Sequence, residues 1–184
     1  KEVSFGNDGN ISQEKLENCI NSDLANNYGN LCQRVVAFNE KNLNLKVPSN
    51  YNFIEEDLQI LNMFKNNVKS LIDFINNQNI NAYVNFIINQ LFTANKYFND
   101  QEPWKKKDDP ERLNTILYVS LELIRKISIM LYPIIPETSL KSLKIFNIKE
   151  NEIDFNSISN NEFLKTNSTL NKINILFKKI ENHD

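Results

Sequence analysis

An all-α fold follows from three features of this 184-residue sequence. Apolar residues recur at steps of three and four along four long segments, no two-residue alternation persists, and most connections between segments are short. Together these predict an antiparallel helix bundle in a single domain with a sizeable core.

Residues 1–11 form a polar, glycine-containing lead-in, after which Ser12 has the chemistry of an N-cap. Leu16, Ile20, Leu24, Tyr28, Leu31, Val35 and Phe38 then follow at steps of four or three, which predicts one long amphipathic helix over about 12–39. Gly29 inside it costs roughly 1 kcal/mol relative to Ala, which suits a site of close packing. Pro48 and the Asn and Ser residues around it mark a loop. A second helix, over about 55–77, is predicted from Leu58, Leu61, Phe64, Val68, Leu71, Ile72 and Ile75. A third, over about 81–98, carries Val84, Ile87, Ile88, Leu91, Ala94 and Phe98. The polar stretch NDQEPWKKKDDPER leads to a fourth, which starts with Asp109 as N-cap, Pro110 at the first helical position and Glu111 in the first turn. Its face is Leu113, Ile116, Leu117, Leu123, Ile124, Ile127 and Leu131. Pro133 and Pro136 end it, and PETSLKSLKIF restarts a short fifth helix. Beyond residue 148 the periodicity weakens.

Composition excludes several function classes. Only Gly29 of the three glycines lies beyond residue 9, so neither a G-x-G-x-x-G turn nor a P-loop can be built. His183 is the sole imidazole, which rules out a Ser-His-Asp triad and a multi-histidine metal site. Cys19 and Cys32 form no metal knuckle, and on one helix they stand about 20 Å apart, too far to pair. No apolar run approaches membrane-spanning length, and KEVSFGNDGN is not a signal peptide; the chain reads as soluble and cytoplasmic. It lacks an initiator Met and reads as a fragment. The 33 Asn and 22 Ile against three Arg reflect the bias of an AT-rich genome. Glu14, Glu17, Glu55, Glu56 and Asp57 read as first-turn or solvent-facing charges. Lys141, Lys144, Lys149, Lys165, Lys172, Lys178 and Lys179 tilt the last third toward positive charge. The net charge of −2 argues against strong non-specific nucleic-acid binding.

Two groups of residues could carry function. Trp104, the only tryptophan, sits in a polar loop between Pro103 and Lys105, Lys106 and Lys107. It is either a lid tucked over the bundle end or a platform on which an unpaired base stacks, with the lysines near phosphates. On the first helix, 100° per residue places Asp23, Asn27, Asn30 and Arg34 on one flank of the apolar stripe. Asn30 and Arg34, four apart, are neighbours. They are either a structural set at a helix boundary, joined by Asp23, or an amide and a planar guanidinium that read a base edge.

DLANNYGNLCQR (residues 23–34) resembles the Asp-Leu-Ala-Asn-x-x-Gly-Asn-Leu-x-x-Arg signature of the anticodon-binding domain of methionyl-tRNA synthetases. ANKYFNDQEPWKKKDD (94–109) resembles that family's Ala-Asn-x-Tyr-x-x-x-x-x-Pro-Trp-Lys segment, and EVSFGNDGNIS (2–12) its connector after the KMSKS loop. The resemblance implies a helical bundle of the class I synthetase anticodon-binding type, divided as connector 1–11, anticodon-binding domain 12–147 and C-terminal extension 148–184. It implies that Trp104 stacks on the first base of the CAU anticodon of initiator and elongator methionine tRNAs. Asn30 and Arg34 would hydrogen-bond that base's edge, and Pro103 would shape the loop. Lys105, Lys106 and Lys107 are placed near anticodon-stem phosphates, a reading the motif itself does not supply, and Asn95 and Tyr97 read as scaffold for the Trp loop. Neither membrane nor DNA is an implied partner. Catalytic residues, a metal and a cofactor are expected to be missing from this segment. The full-length ligase would use ATP with Mg and L-methionine in an N-terminal catalytic domain, since no HIGH, KMSKS or zinc-knuckle signature occurs here. The alternatives are the corresponding domain of a leucine, isoleucine or valine synthetase, or a non-enzymatic helical scaffold for a partner protein.

The end of the chain departs from the family's Lys-Pro-x-Pro-Leu-Phe-Pro-Lys-Ile-Glu, reading Lys172 to Glu181 as KINILFKKIE with all three prolines gone. Ile173, Leu176, Phe177 and Ile180 fit a helical spacing. Without a catalytic core to dock on, this segment is expected to be mobile or to contact another copy.

Overall fold

The computed structural model describes residues 12–180, so the connector expected at 1–11 and His183 lie outside the described residues. Three segments run on as one rod: α1 (Gln13–Cys19), a π-helical stretch (Ile20–Gly29) and α2 (Asn30–Leu43). Ser12 caps it by accepting from the Lys15 amide, and Asn44 closes it in the left-handed conformation. The π stretch alters what the rod presents. Each i→i+5 turn takes in an extra residue, so a 100° step does not carry across it. Asp23 and Asn27, expected beside Arg34 on an open flank, are turned inward and buried, whereas Asn30 is exposed.

The second predicted helix is two, α3 (Glu55–Asn66) and α4 (Val68–Asn76), interrupted at Asn67, whose side-chain amide donates to Gln90 Oε1 at 3.3 Å. The apolar period runs through the break, and one Asn is too weak a breaker to reveal it. α5 (Ile80–Asp100) starts at an Asn79 cap. α6 (Pro110–Leu131) starts at Asp109, which accepts from the Arg112 amide as its sequence predicts. α7 (Pro136–Leu143) follows the double-proline break. Among the described residues the only β-type pairing is a single antiparallel bridge between Lys46 and Thr169. No helix there is long and apolar enough to cross a membrane.

α6 is the axis of the molecule. Every residue from Thr115 to Leu131 is buried, well beyond the one face that periodicity assigns to it. The additional cover comes from the C-terminal chain. Arg125 Nε donates to Glu122 Oε2 at 2.8 Å, its Nη2 reaches the Ser157 and Asn160 carbonyls at 3.1 Å, and Glu122 accepts from the Leu164 amide at 2.7 Å. Charges in an otherwise apolar helix are thus matched to the backbone of the segment that covers them.

The tail then runs back over the bundle. The Leu170 amide donates to Leu45 O at 2.7 Å and the Val47 amide to Ser168 O at 2.9 Å. Leu176 is buried, and the Phe177 ring lies 6.3 Å from that of Tyr28. A Cβ on Gly29 would stand in ordinary contact with Phe177 Cδ2, at 3.5 Å, and closely against Leu24 O, at 3.3 Å, so the tail packs tightly over this position. Asn21 and Ile180 exchange two hydrogen bonds, at 2.8 and 3.0 Å. The helical spacing of Ile173, Leu176, Phe177 and Ile180 is therefore not realised as a helix. The segment is extended and covers its own first helix, because Tyr28 and Gly29 offer it an apolar seat.

Candidate nucleic-acid interface

The loop after α5 is tightly built. Glu102 takes a left-handed conformation (φ 45°, ψ 57°), which costs a non-glycine residue about 1–2 kcal/mol. The turn carries the chain into a short 3₁₀ segment, Pro103–Lys105, with the Lys105 amide donating to Glu102 O at 2.8 Å and the Lys106 amide to Pro103 O at 3.1 Å. Pro103 is buried, its fixed φ suiting the first position of the turn, while the following indole of Trp104 is 41% exposed.

Beneath this loop lies an ionic knot. Asp57 at the start of α3 is fully buried and holds Arg112 of α6 in a bidentate pair, at 2.5 and 3.0 Å. It also accepts from the Tyr97 phenol at 2.5 Å and from the Ile54 amide at 3.0 Å. Arg112 donates in addition to Gln101, the last residue before the turn, at 2.5 Å. Burial, and then the Asp57 carboxylate, push the Tyr97 hydroxyl well above its ordinary pKa, so it stays a donor. Asp57 is the first-turn charge its position predicts, but it does not face solvent: buried, it ties three helices together at the base of the Trp loop.

The indole meets Phe98 edge to face, with centroids 6.2 Å apart and planes at 71°. The Arg34 guanidinium lies over the same phenyl ring, 5.3 Å from its centroid, and Nη2 donates to Asn99 Oδ1 at 2.7 Å. Two residues seventy positions apart in sequence therefore converge on one ring. Asn30 sits one turn before Arg34 on α2, exposed, and its side-chain amide has no hydrogen-bond partner among the described residues. Just before it, Asn95 of α5 donates to Asn27 Oδ1 at 2.6 Å and to Leu91 O at 3.1 Å, clamping α5 to the end of the π stretch. Asp23 takes no part in holding Arg34; Asn99 and Phe98 do. Of the three loop lysines, Lys105 is ion-paired to Glu102 at 2.7 Å, Lys106 is half-buried and Lys107 exposed.

Sequence reasoning missed Phe98 and Asn99 as the support of Arg34. Phe98 fits the apolar period of its helix, and nothing in that period marks which face a guanidinium will cover. Arg112 carried a usable signal, as one of three arginines in a lysine-rich chain. The arrangement offers a partly exposed indole, a planar cation with N–H donors beyond the one given to Asn99, and an exposed amide. This is the chemistry of a pocket for a flat, hydrogen-bonding heterocycle.

Residues 47–184 match the family model described as the anticodon binding domain of methionyl tRNA ligase. A methionine–tRNA ligase of Brucella suis is 37% identical over 156 residues, covering 84% of this chain and 30% of that protein. One from Rickettsia felis is 36% identical, covering 98% and 36%. The fold superposes on the apo methionyl-tRNA synthetase of Mycobacterium tuberculosis with a TM-score of 0.92 at 30% identity, over 100% of this chain and 38% of the other. The chain thus spans about a third of the length of these relatives.

Proposed function

The chain belongs to the family of anticodon-binding domains of methionyl-tRNA ligases, and from that membership we propose that it selects methionine tRNAs, initiator and elongator alike, by reading the CAU anticodon. The convergence of Arg34 and Trp104 on Phe98 is the observation that carries this reading. Trp104 offers its open face to the first anticodon base, a cytosine, and stacking on such a platform is worth about 1–3 kcal/mol. Cytosine presents an N4 amine as donor and carbonyl and ring-nitrogen acceptors along its edge. The Asn30 carbonyl suits the first, and the guanidinium N–H groups that Asn99 leaves unused suit the second. Pro103 shapes the loop. Lys106 and Lys107, and Lys105 once released from Glu102, serve nearby phosphates. The relatives named above are methionine ligases, which does not favour a leucine, isoleucine or valine synthetase domain or a helical scaffold.

Attachment of L-methionine with ATP and Mg belongs, in this proposal, to the rest of the ligase, with this domain working beside it in the cytoplasm. Its contribution there is selection by binding energy: a wrong first base leaves Arg34 or Asn30 without a partner, at about 1–3 kcal/mol. The test is a Trp104 fluorescence titration with a CAU stem-loop and with stem-loops altered at the first base. CAU is expected to bind at least tenfold tighter, and binding assays on Trp104→Ala are expected to show most of that preference lost while its thermal midpoint barely moves. Equal affinity of the wild-type chain for all loops sinks the proposal.

A further inference from the structure

α7, the chain that follows it and the tail enclose a groove of about 570 Å³. Lys141, Lys144 and Lys172 line it, with the amides of Asn171 and Asn174 and a floor that includes Leu176. No carboxylate lines it, in a chain whose net charge is −2. Lys141 and Lys144 are exposed and have no ion-pair partner among the described residues. The nearby carboxylate of Glu40 is neutralised by Lys172 at 2.7 Å.

The walls are fixed rather than fortuitous. Asn171 donates to Lys144 O at 2.6 Å and to Asn147 Oδ1 at 2.8 Å, and its amide nitrogen donates to Ile145 O at 2.9 Å. Lys46, whose Nζ bonds Thr169 Oγ1 at 2.5 Å, anchors the same stretch of tail to the end of α2. The groove therefore exists because the tail is pinned to the chain that follows α7, which brings Lys172, paired with Glu40, beside the unpaired Lys141 and Lys144. Such concentrated positive charge suits closely spaced anionic oxygens, as along a phosphodiester backbone.

Its position relative to the aromatic pocket follows from α2. Glu40, at the groove's edge, lies six residues after Arg34, about 9 Å along the helix axis.

We propose that this lysine groove is a second, sequence-independent contact for the phosphate backbone of the same RNA whose unpaired base the Trp104 pocket holds. The inference rests on the anticodon reading above, and it divides the work: the aromatic pocket discriminates, and the groove adds affinity that falls with salt.

The experiment compares the wild-type chain with Lys141→Gln/Lys144→Gln, titrating CAU and first-base-altered stem-loops at several salt concentrations. Both lysines are exposed, and a matching thermal midpoint confirms that the double variant is folded. The expected result is a loss of roughly tenfold at low salt, equal for both loops, with the slope of log affinity against log salt shallower by about 1.4–1.8. An unchanged slope and affinity in a variant that still prefers CAU overturns the groove and leaves the anticodon reading standing. A loss confined to the CAU loop also overturns it, since a backbone contact cannot distinguish bases. A wild-type chain without CAU preference overturns the anticodon reading on which the groove depends, and the groove with it.

Discussion

Arg34 satisfies two geometric demands that a flexible ammonium cannot. Its guanidinium carbon lies over Phe98 at 5.3 Å while Nη2 donates to Asn99 at 2.7 Å, leaving the other donors for a ligand. Lysine would keep the charge but lose both the stacking and the fork. Arg34→Lys is accordingly expected to lose nearly as much CAU affinity as Arg34→Ala, on the order of 1–3 kcal/mol by titration. Rescue of most of the affinity by lysine would show that only charge matters at this position. Trp104 packs edge to face with the same ring and stays 41% exposed. The motifs made both residues conspicuous. Phe98 was not, since an apolar residue on an apolar stripe carries no mark of the cation that will lie over it.

At the scale of elements, the pocket is assembled from pieces whose ends are held separately. α2 brings Asn30 and Arg34, α5 brings Phe98 and Asn99, and the turn into α6 brings Trp104. The Asp57–Arg112–Tyr97–Gln101 knot fixes the last of these, including the strained Glu102 turn that must be stabilised from below. Removing one partner of such a pair leaves the other charge buried. Asp57→Ala is expected to destabilise the fold by about 3–5 kcal/mol in urea unfolding and to shift the Trp104 emission of the folded protein. A loss below about 1 kcal/mol would mean that Arg112 finds solvent without Asp57. Helix starts were legible because capping chemistry is local: Ser12, Asn79 and Asp109 each accept from the amide three residues on, and Ser12 and Asp109 were read in that role from sequence. The π stretch and the Asn67 break were not, since both leave the spacing of apolar residues nearly undisturbed.

Considered whole, the molecule is one central helix covered on every side, and the covering on its charged face is the C-terminal chain. Lys126, beside the Glu122–Arg125 pair, donates to Asn161 at 2.6 Å. Burial lowers its pKa to about 8; Glu122 opposes the shift, and Arg125 and Lys65 add to it. An unfolded lysine keeps its proton to about pH 10.4, so between pH 8 and 10 the unfolded chain binds more protons and stability rises with pH. The penalty is complete below pH 8. Lys126→Met is expected to raise stability at pH 7 by about 1–3 kcal/mol and to remove the rise toward pH 9.5, both measurable by urea unfolding at the two pH values. Lower stability of the variant at pH 7 would show that attraction to Glu122 and Asn161 outweighs desolvation.

The amino-acid sequence by itself determined the helical class, most helix boundaries and the identity of Asn30, Arg34 and Trp104 as residues of interest. Each of these depends on periodicity, on capping groups or on contiguous motifs, all readable within a few residues of one another. Tertiary structure alone decided that Phe98 joins Arg34 to Trp104, that Asp57 is buried under the loop, and that the tail folds back to cover α6 and Tyr28. Those outcomes depend on which distant surfaces meet. A carboxylate in a first turn is solvated or entombed according to what packs over it, and an apolar tail settles on whichever exposed seat its own bundle leaves open.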